Sequence, residues 1–212
     1  MANDRVDQLL AAAGGQTYAE AAGIELADEP APLYQLLMLT VLLSHRIGTD
    51  IAVDAARELI EAGATTARHM TELTWQQRVD AEGRAHFKRY DESTATRLGQ
   101  SAQQLIDRYD GDLRRLAEAA GRNRARASAL LQEFTGVGPV GADIFLREVQ
   151  AVWTWLRPYL GERAGQTATE LGIPDTERGL AEAIGDDDLA HVTAALIRYS
   201  TDREVRERMT AS

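Results

Sequence analysis

The residues in this chain best suited to a chemical task lie in one short stretch, from Leu131 through Phe134, Thr135, Gly136, Val137, Gly138, Pro139, Val140 and Gly141 to Ala142. A helical pattern precedes it and another follows in Ile144, Phe145 and Val149, which leaves only a few residues for the reversal. Gly136 and Gly138 suit backbone conformations with positive φ, and Pro139 suits the first position of a second helix. The spacing predicts a tight helix–hairpin–helix. In such a turn the first amides of the second helix face outward at the positive end of its dipole, which favours an anion such as a phosphate. A plain helix–turn–helix connection with glycine stops is the simpler alternative. The small residues Gly141 and Ala142 and the local charge favour phosphate binding, with Gly136, Val137, Gly138, Val140 and Gly141 as its residues.

The charge around that stretch is unusual for the chain. The 212 residues carry a formal net charge of −10, which argues against broad, nonspecific nucleic-acid binding. Residues 121–160 alone are positive, with five Arg against three acidic residues, and Arg122, Arg124 and Arg126 open the segment. These three arginines are candidate contacts for an anionic partner. His69, His86 and His191 show no metal-ligand spacing with one another or with carboxylates, and no metal site is expected.

The elements that must position these residues are helical. Ala, Leu, Arg, Glu and Gln dominate, and no alternating β-branched run is bounded by hairpin turns, so the fold class expected is all-α. Pro32 sits where a first helical turn begins, and Leu33, Leu36, Leu37, Leu39, Leu42 and Leu43 cover nearly all sides of the helix that follows, which predicts a central, buried helix. Gly48 and Thr49 interrupt it, and Ile51 to Ile60 give another helix ending near Gly63. Further helices are predicted at roughly 74–82, 94–108, 111–120, 122–134, 139–150, 175–184 and 187–199. Asp186, Asp187 and Asp188 suit a helix N-terminus before Leu189. The stretch from Arg157 to Gly165 has the composition of a boundary between lobes.

Composition excludes several classes. Hydrophobic residues at 44% and charged residues at 26% are those of a globular chain rather than a disordered one. The longest apolar stretch, Leu33 to Leu43, is too short for a membrane span, and the start of the chain lacks the pattern of a secretory signal. With no cysteine there can be no disulfide, thiolate nucleophile or cysteine-held cluster, and a cytoplasmic location is expected.

Residues 131–145 resemble the DNA-binding hairpin of the endonuclease III superfamily of base-excision DNA glycosylases. A second match lies far upstream, where Leu42-Leu43-Ser44-His45-Arg46-Ile47-Gly48-Thr49-Asp50 resembles the end of that family's central helix and the loop that approaches DNA. Tyr90 and the helix after it fit the usual spacing, so the resemblance covers about residues 31–150. It implies a helical barrel lobe over 31–150 and a second helical lobe from 1–30 and 151–212, with duplex DNA, damaged or distorted, as the partner. It also implies extrusion of the target base, because the glycosidic bond cannot be reached inside the stack. Ser44, His45 and Arg46 match the loop that fills the vacated space; capping of a helix C-terminus by His45 and Arg46 is the equal alternative.

The chain departs from the family where chemistry is done. The family's Schiff-base lysine falls on Val140, and the chain's one lysine, Lys88, reads as a solvated charge. The catalytic Asp expected beyond the hairpin is missing, since no acid lies between Glu148 and Glu162. Glu148 and Asp143 are the nearest candidate catalytic carboxylates, although Asp143 also suits the dipole of its helix. The family's iron–sulfur cluster needs four Cys, so no cofactor is expected. Trp153 and Trp155 suit either stacking on an extruded base or packing. Two functions stay open: a glycosylase with relocated chemistry and no lyase activity, or an inactive DNA-structure binder or adaptor.

Overall fold

Helices make up all the regular structure among the residues that the computed structural model describes, 2–185 and 188–211. In chain order they are α1 (Ala2–Ala13), α2 (Tyr18–Ala21), α3 (Pro30–Leu43), α4 (Thr49–Glu61), α5 (Ala67–Glu72), α6 (Trp75–Arg84), α7 (Asp91–Tyr109), α8 (Leu113–Ala119), α9 (Arg124–Leu131), α10 (Pro139–Val149), α11 (Glu162–Leu171), α12 (Glu177–Ile184), α13 (Leu189–Thr201) and α14 (Arg203–Ala211), with a 3-10 turn at Thr154–Leu156. The all-α expectation holds. The chain forms two compact units, residues 1–18 with 146–212, and residues 19–145.

The larger unit is organised by α3. Pro30 opens the helix, where a missing N–H costs nothing, and its apolar residues then cover every side. Leu33, Leu36, Leu37, Leu39 and Leu42 are all at most 1% exposed, and each contributes about 1.5–3 kcal/mol of burial. Around it pack α4, α7 and α8, with α6 against both α4 and α7. Short polar residues fix where these helices start. Thr74 and Gln77 form a reciprocal capping box at α6, and Asp112 and Asn123 cap α8 and α9 through side-chain oxygens.

The smaller unit packs α1 against α13 and α14, and α11 against α13. Its core includes Leu9, Ala164, Ala168, Leu180, Val192 and Leu196. Arginines tie its two parts together through backbone carbonyls: Arg198 donates to the oxygens of Gln16 and Thr17, Arg208 to Ala12 and Arg5 to Leu171. Arg198 also lies over the Tyr18 ring, 4.4 Å from its centroid.

Several boundaries differ from the sequence expectation for local reasons. The segment over 122–134 is helical only from Arg124 to Leu131, because Asn123 caps its start and Gln132 to Phe134 already belong to the turn. The sequence reading contains no counterpart of α1, α2, α5, α11 or α14. The division between units falls at 145/146, inside the continuous helix α10, where no glycine or proline marks it. Asp186 and Asp187 lie outside the described residues. Asp188 occupies the N-cap position of α13, but its side chain makes no capping bond.

Candidate nucleic-acid interface

The reversal between α9 and α10 is built on two buried anchors, Phe134 and Val137, at 2% and 4% exposure. The amide of Val137 donates to Phe134 O at 3.0 Å, and that of Thr135 to the Gln104 side chain of α7 at 2.8 Å, so the turn is held from both sides. Gly136 has φ 91°, the left-handed conformation the sequence demanded. A Cβ there would also lie 3.1 Å from Val41 of α3 and 3.5 Å from Arg97 of α7. Glycine is therefore required at 136 on two counts.

Gly138 corrects the sequence reading. Its φ lies outside the left-handed region, and a Cβ added to it meets nothing within 4 Å. What its lack of a side chain provides is open space directly before α10. Pro139 and Val140 beside it are exposed, Val140 at 66%. The first bond of the α10 ladder runs from Ala142 N to Gly138 O at 2.9 Å, so the amides of Val140 and Gly141 precede it. Open backbone and a helix N-terminus together suit an anionic oxygen.

The loop after α3 lies against this turn. A Cβ at Gly141 would be 2.9 Å from Ser44 Oγ and 3.2 Å from Val137 Cγ1, so only glycine lets α10 come this near. Ser44 Oγ donates to Thr40 O at 2.7 Å and closes the C-terminus of α3. The backbone N–H of His45 donates to Leu42 O at 3.3 Å, at the end of α3. The His45 ring stacks on Tyr90 at 5.0 Å between centroids, meets the edge of Phe87, and has Nε2 3.0 Å from Thr94 Oγ1. Burial first, and the neighbouring Arg97 charge second, push the imidazole below its ordinary pKa and favour its neutral form. Arg46 is the exposed basic side chain of the loop.

These contacts gather cations that charge counting over segments missed. Arg97 packs along Gly136, exposed Lys88 and Arg89 lie in the turn between α6 and α7, and Arg89 sits 5.3 Å from the centroid of the Tyr90 ring that holds His45. Their stretch, residues 31–120, is acidic in sum, and no sequence signal reports that α7 brings Arg97 to the hairpin. Arg122, Arg124 and Arg126 stand at the other end of α9, about 12 Å from the turn at 1.5 Å per residue. Arg122 and Arg126 are exposed and Arg124 is half-buried.

The two candidate carboxylates part company. Asp143 is half-buried on the second turn of α10. Glu148 is 0% exposed, beside Arg147 at 2%, in the interior of the smaller unit, where both exert charge effects on the buried Tyr18 phenol. A group that must meet a sugar needs an open approach, and Glu148 is fully enclosed here. Trp153 is 2% exposed and stacks on Trp155 at 5.5 Å, so packing accounts for Trp153. Among the described residues no group of three His, Cys, Asp or Glu could hold a metal, and without cysteine the chain does not fit the family's cluster.

No protein-family profile matches the sequence, and no curated protein does. A solved structure of a trapped endonuclease III–DNA covalent intermediate, an estranged-adenine complex, is similar to this chain with a TM-score of 0.50 and 15% identity, over 86% of this chain and 80% of that one. The chain has the all-α, endonuclease III-like fold.

Proposed function

We propose that this chain binds duplex DNA through the hairpin before α10, with damaged or distorted duplex as its preferred form. The carrying observation is the open backbone at Gly138 ahead of the α10 amides, with Arg97 packed against Gly136 in the same turn and exposed Arg46 in the loop whose Ser44 meets Gly141. A phosphate seated there takes backbone N–H bonds, while the cations replace condensed counterions and supply a salt-dependent part of the affinity. The similar endonuclease III structure is a complex with DNA, which supports the same use of the fold.

The chemistry proposed is hydrolysis of an N-glycosidic bond without a Schiff base from the hairpin, because Val140 carries no amine. Asp143 is the carboxylate available to stabilise a developing sugar cation or to activate water. A noncatalytic DNA-structure binder is the second reading. It is favoured by the enclosure of Glu148 and by the absence of any acid from 149 to 161.

The test is binding of intact, mismatched, abasic and lesion-containing duplexes over a range of salt, with base release measured on the same panel. Arg97→Ala should lower the salt slope by about 0.9, the value for one phosphate contact. An unchanged slope in a folded Arg97→Ala protein would remove Arg97 from the interface. Base release from any lesion selects the enzyme; DNA binding with no release across the panel selects the binder.

A further inference from the structure

A buried polar cluster lies under the turn between α6 and α7. Glu82, on the last turn of α6, is 0% exposed, and neither of its carboxyl oxygens has a hydrogen-bond partner. Tyr34 Oη of α3 and Nε of Arg78, one turn before Glu82, are buried and unpartnered as well. Arg78 is confined there, since a methyl group at Gly99 of α7 would overlap its guanidinium. A buried ionised carboxylate with no hydrogen bond is strongly unfavourable, whereas its protonated form is tolerated far more readily. Burial, with Asp91 at the start of α7 adding to it and Arg78 opposing it, pushes the Glu82 pKa up to about 9.

The position of Glu82 gives its proton a wider reach. Phe87 N donates to Glu82 O at 3.0 Å and folds the chain back over the end of α6. The segment so closed carries Phe87 and Tyr90, which hold the His45 ring, and the exposed cations Lys88 and Arg89. The other charges packed around α6 are Glu58 of α4, which pairs with Arg84 at 2.5 Å, and Asp91 of α7. We propose that Glu82 is a proton-dependent latch: while protonated it lets the turn over 85–90 close, and on losing its proton it releases that turn together with the basic side chains it presents to DNA. The consequence for DNA rests on the binding function proposed above; the latch itself does not.

Linkage then requires the bound, closed form to hold the proton more tightly than the open one, so that DNA binding is coupled to proton uptake where Glu82 titrates. The comparison with Glu82→Gln isolates the part of this coupling that belongs to Glu82.

The experiment is amide hydrogen exchange over residues 83–91 from pH 7 to 10.5, corrected for intrinsic rates, in the unmodified protein, Glu82→Gln and Asp91→Asn. Protection in the unmodified protein should fall as pH passes about 9. Glu82→Gln should stay protected, and Asp91→Asn, relieved of the like charge, should open at lower pH. Duplex affinity at constant ionic strength should weaken over the same range by up to tenfold per pH unit, and by less in Glu82→Gln. Equal protection in the unmodified and Gln proteins, or an Asp91→Asn transition that does not move, overturns the latch. A shift in exchange without a difference in affinity overturns its coupling to DNA. Failure to bind DNA at pH 7 overturns the DNA reading, while the exchange data still decide the latch.

Discussion

Ser44 and Gly141 meet so closely that a methyl group on Gly141 would stand 2.9 Å from the serine Oγ. This approach joins the end of α3 to the start of α10 and brings two segments, almost a hundred residues apart in sequence, onto one surface. It also separates two glycines that look equivalent in the sequence. Gly141→Ala should destabilise the protein by about 1–3 kcal/mol through overpacking. Gly138→Val should leave stability within about 0.5 kcal/mol, as at other exposed positions, and weaken duplex binding at least tenfold by filling the space for a phosphate. Denaturant titration and fluorescence anisotropy of both variants check the contrast, and Gly138→Val with unaltered affinity would refute the site.

Borohydride reduction in the presence of abasic duplex should trap no covalent adduct. The position that would offer an amine is Val140, whose exposed side chain has none. Should an adduct form, its loss in Lys88→Ala would assign the nucleophile to the α6–α7 turn.

The carboxylates are expected to separate folding from chemistry. Glu148→Gln alters a group in the interior of the smaller unit and should lower stability by about 1–3 kcal/mol. Asp143→Asn should cost less than about 1 kcal/mol and abolish any base release while duplex affinity is retained. Retained base release in Asp143→Asn would exclude Asp143 from the reaction.

His45 should make stability depend on pH in a definite direction. Its folded-state pKa lies below the ordinary 6.5, so between those two values the unfolded chain holds more protons than the folded one. The contribution is present above pH 6.5 and is lost as the pH falls toward the folded-state value. His45→Gln should lose about 1 kcal/mol at pH 7.5 from the stack and the Thr94 hydrogen bond, and the gap to the unmodified protein should narrow toward pH 5. Melting curves at the two pH values give the comparison; a gap that widens on acidification contradicts the assignment.

The hairpin was legible because its determinants are local: a left-handed glycine, a proline at the first helical position and an apolar residue between two glycines. The central helix was legible for the same reason, since a helix apolar on every side has to be enclosed. Arg97 was not, because its place beside Gly136 depends on how α7 packs within the larger unit, and no spacing within α7 encodes that packing. Nearness along the chain marks Glu148 as a candidate carboxylate, and nothing in the sequence reports its enclosure. Glu82 stood unnoticed in a polar helix, and only the packing of α3, α4 and α7 around it makes its charge exceptional. At Gly138 clearance rather than φ is what the structure shows, and a sequence does not report clearance.

The arginine-to-carbonyl ties between α1 and the C-terminal helices bear on the order in which the molecule is made. Arg198 meets Gln16 and Thr17 from about 180 positions away, so during synthesis the first 18 residues wait for α13 and α14 before their unit can close. Residues 19–145 are under no such delay, and their contacts lie within one continuous run of chain. The hairpin unit therefore emerges first and can fold while α1 has no partner, leaving the apolar face of α1, with Val6 and Leu9, uncovered for that interval.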